Sequence, residues 1–370
     1  ANPGEVPSIA VEAFAFAPQN DDTENVGADL REQLIFRLSK RTGVKVRDVV
    51  SDAAEDTIYL LRGRLRMSGS RCRVHLSLIV RGSGNTAWTQ VYDGDTSDIL
   101  MFCDDVIEKA TAELRIQINS SDDERLKHLP VEQLSVSELR SRAASNFYKA
   151  TIESWEYALK VMDRAIDLSP DDAMALAMRA LAKTLLAAAR FEDLDSKQTE
   201  QIAYDLDRSV ELSPSSDFIF ATRSLFRCQV ADDAHGAIMD ADRAISINPT
   251  YHLAYDGRAM AHLRKGDTTQ SIADLEKSVS LSGSDPLLPY RLFLLTIAYH
   301  LAGQSQNAIN TVDRAIQLRP SQRSYHVLKA QICSATNDAK GTQEAENRAA
   351  QLPSEPSILA TRPPVPEGHS

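Results

Sequence analysis

The sequence predicts a small α/β or α+β sheet domain followed by an all-α repeat superhelix. Two observations lead to this fold class. Over the first 119 residues, short apolar runs with the alternation of strands are separated by amphipathic helical segments. Between residues 137 and 353, near-copies of the motif DRAISINP (residues 242–249) return at regular intervals, which indicates an array of like units.

The chain has the length and composition of a folded protein with two or three domains. Its 370 residues are 43% hydrophobic and 25% charged, which are ordinary values for a globular protein. The formal net charge of −11 and the pI near 5.3 disfavour general nucleic-acid binding, which needs a basic surface. We therefore expect protein partners and no nucleic-acid partner.

The cysteines and the apolar segments favour a reducing, aqueous compartment. No zinc-like spacing or disulfide framework is visible, so we expect four reduced, packed thiols at Cys72, Cys103, Cys228 and Cys333. The most apolar stretch, residues 173–189, is interrupted by Arg179 and Lys183, which disfavours a membrane span. No signal peptide is visible, so the predicted localisation is cytoplasmic.

The first domain, residues 1–119, has the element order strand, helix, strand, hairpin, strand, helix. These elements are predicted at residues 8–16, 28–42, 44–50, 58–80, 88–92 and 99–118. Residues 8–16 (SIAVEAFAF) are apolar on both faces, as a central strand requires. The order predicts one sheet with two helices. Residues 120–136 are highly charged and predict a linker.

The predicted hairpin has one strongly basic face. Alternation places its apolar residues on one side of the sheet and five arginines on the other, namely Arg62, Arg64, Arg66, Arg71 and Arg73. Five guanidinium groups on one face would attract a phosphate or an acidic surface of another domain. The alternative is a solvated face shielded by nearby carboxylates, which is the usual role of a charge run.

The terminating Pro and Gly residues of the motif copies set the period of the array. They fall at positions 170, 214, 249, 283, 320 and 353, so the steps are 44, 35, 34, 37 and 33 residues. A period of about 34 residues, with small residues inside paired helices, is the signature of tetratricopeptide repeats. Six helix pairs are predicted, at residues 137–170, 171–214, 215–249, 250–283, 286–320 and 321–353.

Small residues mark where neighbouring helices of the array approach closely. They are expected at Ala158, Ala165, Ala237, Ala244, Ser271, Ser278, Ala308 and Ala315. The second unit is longer than the others, and residues 191–201 are the predicted insertion. Residues 354–370 are rich in proline and are predicted to form a disordered tail.

The first domain resembles a bacterial regulatory domain. The segments SIAVEAFAF, GADLREQLIFRLSKRTGVKV, YLLRGRLRMSGSRCRVHLSLI and AWTQVYDGDTSDI are similar, in this order, to a TolB-like α/β domain. In many bacterial class III adenylate/guanylate cyclases, that domain lies between the catalytic domain and tetratricopeptide repeats. The chain departs from the family where Glu12-Ala13-Phe14 replaces Leu-Pro-Phe, where Arg62 replaces Glu, and before Ile58, where a shorter segment indicates a missing or truncated helix.

The first helix of each repeat would supply a partner-binding surface. By analogy with other tetratricopeptide proteins, the expected partner-facing residues are Arg223, Phe226, Asp256, Met260, Arg264, Tyr290, Phe293 and Ile297. The alternative is that the apolar members are packing residues between repeats and that the charged members form a solvated face.

The sequence contains no recognisable catalytic, metal or cofactor motif. There is no phosphate-binding loop, dinucleotide fingerprint, HExxH or GxSxG. The resemblance therefore implies a non-catalytic regulatory region of an adenylate/guanylate cyclase acting in cAMP signalling, with any catalytic domain upstream of Ala1 and bound by this region. The alternatives are a freestanding scaffold and a small-anion sensor that uses the arginine hairpin.

Overall fold

The chain forms two compact units. The computed structural model describes residues 8–39, 45–48, 57–126, 128–190, 194–283 and 285–353. One unit comprises Ala1–Ser145 and the other Asn146–Ser370, so the division falls after the segment predicted as a linker, inside a helix. The predicted tail, residues 354–370, and the shortened segment before Ile58 lie largely outside the described residues.

The first unit contains a mixed sheet with helices. Its strands are β1 (Ser8–Val11), β2 (Ala15–Ala17), β3 (Lys45–Asp48), β4 (Tyr59–Ser68), β5 (Arg71–Val80) and β6 (Thr86–Asp95). Its helices are α1 (Asp21–Ser39), α2 (Ile99–Leu126) and α3 (Val136–Lys149), the last of which crosses the boundary. The strand order is β3-β1-β4-β5-β6, with β2 beside β4. The pairs of β1 with β3 and β4 are parallel, whereas β4-β5 and β5-β6 are antiparallel.

The predicted hairpin is confirmed, and its turn consists of Gly69 and Ser70. Gly69 has a φ of 59°, a left-handed conformation that suits glycine. The prediction of one strand over residues 8–16 was wrong, because the chain leaves the sheet after Val11 and returns at Ala15. Phe14 turns into the core between the two strands, and a Cβ at Gly63 would overlap its ring. Glycine at 63 therefore makes room for Phe14.

The core of the first unit lies between one sheet face and the helices α1 and α2. The α1 side chains Leu30, Leu34 and Leu38 are buried there with Leu61 and Leu65 of β4. Helix α2 continues to Leu126, so residues 120–126 are helical where a linker is predicted.

The second unit is built from helices that pack in successive pairs. They are α4 (Ile152–Leu168), α5 (Ala173–Arg190), α6 (Ser196–Leu212), α7 (Asp217–Gln229), α8 (Ala234–Ile247), α9 (His252–Arg264), α10 (Thr268–Leu281), α11 (Leu288–Leu301), α12 (Ser305–Leu318), α13 (Arg323–Ala335) and α14 (Ala339–Gln351). Paired helices pack against each other, and the first helices α5, α7 and α9 also pack in series. All eight small residues predicted at close approaches are fully buried.

Side-chain caps begin several second helices. The side chains of Asp233, Asp267 and Asp338 accept hydrogen bonds from backbone N–H groups three residues later. Each carboxylate therefore satisfies a helix N–H group that has no partner within its helix. Thr151 and Asp195 form full capping boxes at the starts of α4 and α6.

The extra length of the second repeat mainly extends its helices. Helix α5 has 18 residues and α6 has 17, whereas α7 has 13 and α8 has 14. Residues 196–201, which the sequence assigns to an insertion, are part of α6. The capping box between Asp195 and Gln198 starts that helix early, which explains the difference from the prediction.

Candidate functional site

Arginines at one repeated position connect successive helix pairs. Each of these residues lies on the first helix of a pair and contacts a carboxylate on the second helix of the same pair and another on the helix before. We call this set the arginine ladder: Arg179 on α5, Arg223 on α7 and Arg258 on α9. Each ladder arginine therefore joins three consecutive helices.

The geometry of the ladder is the same at each step. Arg258 donates from Nε and Nη2 to the two oxygens of Asp274, at 2.9 and 2.6 Å, and from Nη1 to Asp242 at 2.6 Å. Arg223 donates in the same way to Asp240, at 2.8 and 2.7 Å, and to Asp207 at 3.0 Å. Such forked pairing of guanidinium with carboxylate fixes orientation as well as distance.

The two carboxylates at each ladder position differ in burial. The side chains of the forked partners Asp205, Asp240 and Asp274 are 0%, 5% and 7% exposed, whereas those of Asp163, Asp207 and Asp242 are more than half exposed. The hydrogen bond with Asp274 raises the pKa of Arg258 further above its ordinary value, so this guanidinium stays charged.

The ladder accounts for the aspartate of the DRA motif, which the sequence reasoning did not interpret. Each exposed partner is the first residue of a motif copy, and its cation lies 16 residues later in the chain. Lys329 Nζ makes the corresponding contact with Asp313 at 2.7 Å. The recurring spacing of 16 residues was therefore a signal that the sequence contained.

The fifth repeat replaces the ladder contact with a buried cluster. The residue 16 positions after Glu276 is Leu292, which cannot form the ladder contact, and Glu276 instead accepts a hydrogen bond from the hydroxyl of Tyr299. The neighbouring Arg291 is only 1% exposed and donates to Asp256 at 2.9 Å and to Asp285 at 2.7 Å.

A histidine completes the Arg291 cluster. His252 Nδ1 lies 2.8 Å from Arg291 Nη2, and its Nε2 lies 3.3 Å from Asp285 Oδ2. Because the guanidinium can only donate, this contact makes Nδ1 the acceptor and leaves Nε2–H to face Asp285. Ser278 also donates to Asp256, at 2.6 Å. Burial raises the pKa of Asp256, and the charge of Arg291 opposes that shift.

Five of the eight predicted partner-facing residues are buried within the repeats. These five are Phe226, Asp256, Met260, Phe293 and Ile297. Asp256 belongs to the Arg291 cluster, and the ring of Phe293 stacks on that of Tyr325 with centroids 5.3 Å apart. Their surroundings correspond to packing between repeats, which was the alternative interpretation of the sequence. A direct partner contact would require these side chains to leave those positions.

Three of the predicted partner-facing residues keep partial exposure. Arg223 is a ladder residue, and the side chain of Arg264 is 21% exposed and forms an ion pair with Asp232. Tyr290, near the start of α11, is of intermediate exposure. We call Arg223, Arg264 and Tyr290 the first-helix residues.

The arginines of the hairpin form a basic face on the outside of the sheet. All five predicted members are exposed, and none faces the core side of the sheet that contains Leu61 and Leu65. In the register of the hairpin, Arg64 lies opposite His75 and Arg66 lies directly opposite Arg73. The alternation predicted from the sequence is therefore confirmed.

Two members of the basic face are paired with carboxylates. Arg62 donates to Glu12 at 2.8 Å, and Arg73 donates to both oxygens of Asp93, at 2.5 and 3.0 Å. The hydrogen bond from Arg73 lowers the pKa of Asp93.

The other three arginines of the face have no ion-pair or hydrogen-bond partner within the described part of the chain. These three are Arg64, Arg66 and Arg71, and we call them the unpaired arginines. Arg71 is near enough to Asp93 for its charge to help lower the pKa of that carboxyl, so the guanidinium groups most available to an external anion are those of Arg64 and Arg66.

The cysteines have the properties of packing residues. All four are free and buried. Burial raises the pKa of Cys72 to about 11 and that of Cys228 to about 12. At neutral pH both thiols are therefore protonated and poorly nucleophilic.

Two further features bear on the type of site. Among the residues that the structure describes, no group of His, Cys, Asp and Glu has the arrangement of a metal site. None of the described helices is both long and apolar enough to span a bilayer.

Comparison with known proteins identifies the repeats. Residues 253–285, which contain α9 and α10, match the family profile of the tetratricopeptide repeat. No curated protein sequence matches the chain significantly.

Three solved structures illustrate the structural similarity. The human IFIT1 dimer with m7Gppp-AAAA matches 70% of this chain and 61% of its own, at 14% identity and a TM-score of 0.51. Cut9–Hcn1 from the APC/C matches 72% of this chain and 49% of its own, at 11% identity and a TM-score of 0.50. The pilus biogenesis factor PilW matches 56% of this chain and 90% of its own, at 19% identity, but its TM-score of 0.45 is too low to support a fold assignment.

These comparisons establish architecture. The chain spans less than two thirds of the IFIT1 and Cut9 structures that it matches, and at these identities the likeness concerns the fold alone. The protein therefore has a small mixed sheet followed by a tetratricopeptide-repeat array. The expectation that the chain has no nucleic-acid partner stays a prediction.

Proposed function

We propose that this chain is a non-catalytic interaction module whose repeats bind a partner protein or a neighbouring domain. The observation that supports this function is the array of stacked helix pairs, held in register by the arginine ladder. Repeat arrays of this kind present extended surfaces, because each unit contacts mainly its neighbours. The first-helix residues are the positions at which we expect partner contact.

Binding by the repeats is tested with variants of the first-helix residues that lie outside the ladder. Arg264→Ala with Tyr290→Ala removes two partly exposed side chains. The control is Arg314→Ala with Arg348→Ala, at exposed positions of α12 and α14. Proteins that co-purify with the wild type from its own cells are identified by mass spectrometry. The proposal predicts that one specific partner is lost from the first variant and retained by the control. Equal recovery of the partner protein with both variants would count against a role of Arg264 and Tyr290 in partner binding.

The finer proposal places the chain beside a bacterial adenylate/guanylate cyclase domain. Its support is the ordered resemblance of the first domain to the TolB-like domain of those enzymes, together with the repeats that follow it. In this arrangement, partner binding would alter cyclase activity by favouring one of two domain arrangements.

The cyclase proposal is tested by the mass of the native polypeptide. An antibody against the repeats should detect a protein well above 40.8 kDa whose cyclase activity changes when residues 1–370 are deleted. A native mass close to 40.8 kDa would instead favour the freestanding adaptor.

A further inference from the structure

We propose that the basic face of the sheet binds an extended acidic segment of a partner protein. The residues that carry this inference are the unpaired arginines, Arg64, Arg66 and Arg71. The site belongs to the first unit and uses none of the first-helix residues, so it goes beyond the proposed function of the repeats.

Two arginines of the basic face repel each other across neighbouring strands. Arg66 and Arg73 are directly opposite each other on β4 and β5. Like charges at such a cross-strand pair destabilise a sheet. Asp93 offsets the charge of Arg73, but Arg66 has no carboxylate partner within the described residues. An anionic ligand across this pair would relieve the repulsion.

The spacing along β4 matches an extended peptide. Arg64 and Arg66 are alternate residues of β4, so their Cα atoms lie about 6.6–6.8 Å apart. Arg62, two residues before Arg64, is already paired with Glu12. An extended peptide repeats its own side chains on one face with the same spacing. Carboxylates at alternate peptide positions would thus meet successive guanidinium groups, whose planar forks suit carboxylates.

The neighbouring strand leaves room for such a peptide. On β2, Ala15 is in register with Arg64 and Ala17 with Arg66, so small side chains flank the arginines on the side away from β5. Toward β6 the face contains Ser77 and Thr89, whose hydroxyl oxygens are 3.2 Å apart, and the exposed Val91. Asp95 is in register with Arg71 at the turn end of the same strand.

The composition of the face favours a peptide over a nucleic acid. Binding of single strands commonly uses aromatic side chains on which bases stack. On the described strands, Trp88 and Tyr92 are in register with the buried Leu78 and Val74, and no Phe, Tyr or Trp accompanies the unpaired arginines. The net charge of −11 also disfavours approach of a long polyanion, whereas a short acidic segment needs only the local positive potential.

The test uses a fluorescein-labelled peptide of five Glu-Thr repeats and the whole chain, with binding followed by fluorescence anisotropy in about 50 mM salt. The variant Arg64→Gln, Arg66→Gln, Arg71→Gln should bind about tenfold more weakly, because three exposed ion pairs are lost. The matched control Lys160→Gln, Lys197→Gln, Lys265→Gln removes the same charge from exposed lysines of the repeats and should bind like the wild type.

Three further probes make the result decisive. A peptide of five Gln-Thr repeats should not bind, and inorganic phosphate should compete only as weakly as chloride at equal ionic strength. If a ten-nucleotide oligothymidine binds more tightly than the Glu-Thr peptide through the same arginines, the proposal is overturned in favour of a nucleic acid. If phosphate competes more strongly than chloride, the proposal is overturned in favour of a small anion. Equal losses in the variant and the lysine control would also overturn it, since the effect would then be one of net charge. Unchanged thermal unfolding of the variant establishes that it is folded.

Discussion

Arginine has opposite surroundings in the two units of this protein. In the repeats, Arg258 reaches two carboxylates and Arg291 is fully buried among charged partners. On the sheet, Arg64 and Arg66 are exposed and have no partner within the described residues. The comparison separates arginines that hold helices together from arginines that are available for binding.

The difference follows from burial. A guanidinium that is removed from water must be compensated by charge and hydrogen bonds, so its loss leaves buried carboxylates without a partner. A guanidinium on an exposed sheet face loses little hydration, and its contribution to stability is small. Removing one arginine changes the net charge equally in either set. We therefore expect the free energy of unfolding to fall much more when a buried arginine of the repeats is replaced than when an exposed arginine of the sheet is replaced.

The largest expected effect is at Arg291. Arg291→Met keeps much of the side-chain volume but leaves Asp256 and Asp285 buried without their cation, which should lower the free energy of unfolding by about 3–5 kcal/mol. Urea unfolding followed by circular dichroism measures the change. Arg314→Met, on the exposed side of α12, is the control and should stay within about 0.5 kcal/mol of the wild type. A loss at Arg291 no larger than that of the control would show that the cluster contributes nothing.

The second-largest expected effect is the difference in coupling energy between the two carboxylates that contact one ladder arginine. In double-mutant cycles with Arg258→Met, the coupling to Asp274→Asn should be about 1.5–3 kcal/mol, because that carboxylate is buried and accepts two charged hydrogen bonds. The coupling to Asp242→Asn should be about 0–1 kcal/mol, because Asp242 is exposed. Equal couplings would contradict the role assigned to burial.

The sheet unit also contains a buried carboxylate, and this one has no arginine partner among the described residues, so we expect it to make stability depend on pH. Glu113 on α2 is 5% exposed and accepts a hydrogen bond from the indole N–H of Trp88 at 3.1 Å. In contrast, the buried carboxylates of Asp240 and Asp274 in the repeats accept hydrogen bonds from arginines. Burial raises its pKa, and the Trp88 hydrogen bond and Lys109 only partly oppose this. Because the pKa is higher in the folded state, wild-type stability falls as pH rises through the folded value.

Glu113→Gln should remove this pH dependence. The variant and the wild type should unfold at similar temperatures near pH 4, which is below the ordinary pKa of a glutamate, and the variant should be the more stable of the two at pH 7. Thermal unfolding across this range measures the difference. The exposed Glu32→Gln is the control and should follow the wild type. A variant that is less stable at pH 7 would mean that the ionised carboxylate is favoured in the fold.

Much of the architecture could be read from periodic features of the sequence. The terminating residues located the repeats, the small residues located the close approaches, and alternation located the basic face. The ladder was also encoded, by an aspartate and a cation 16 residues apart, but was not recognised.

Other features depend on contacts that occur once. The Arg291 cluster includes His252, the first residue of α9, where α7 has Asp217 and α13 has Arg323, so no repeated residue pattern reveals the cluster. The break between β1 and β2 depends on how Phe14 packs beside Gly63. The burial of five expected partner-binding residues likewise follows from how successive helices pack, which the spacing alone does not specify.

The central claim is tested most directly by measuring the stability of each unit separately. The two tryptophans allow this, since Trp88 lies in the sheet and Trp155 begins the repeats. In a Trp88→Phe background, Arg258→Met should lower the urea midpoint reported by Trp155. In a Trp155→Phe background, Arg64→Gln, Arg66→Gln, Arg71→Gln should leave the midpoint reported by Trp88 within the range of an ordinary surface substitution, about 0.5 kcal/mol. A stable Arg258 variant together with a strongly destabilised triple variant would contradict the account.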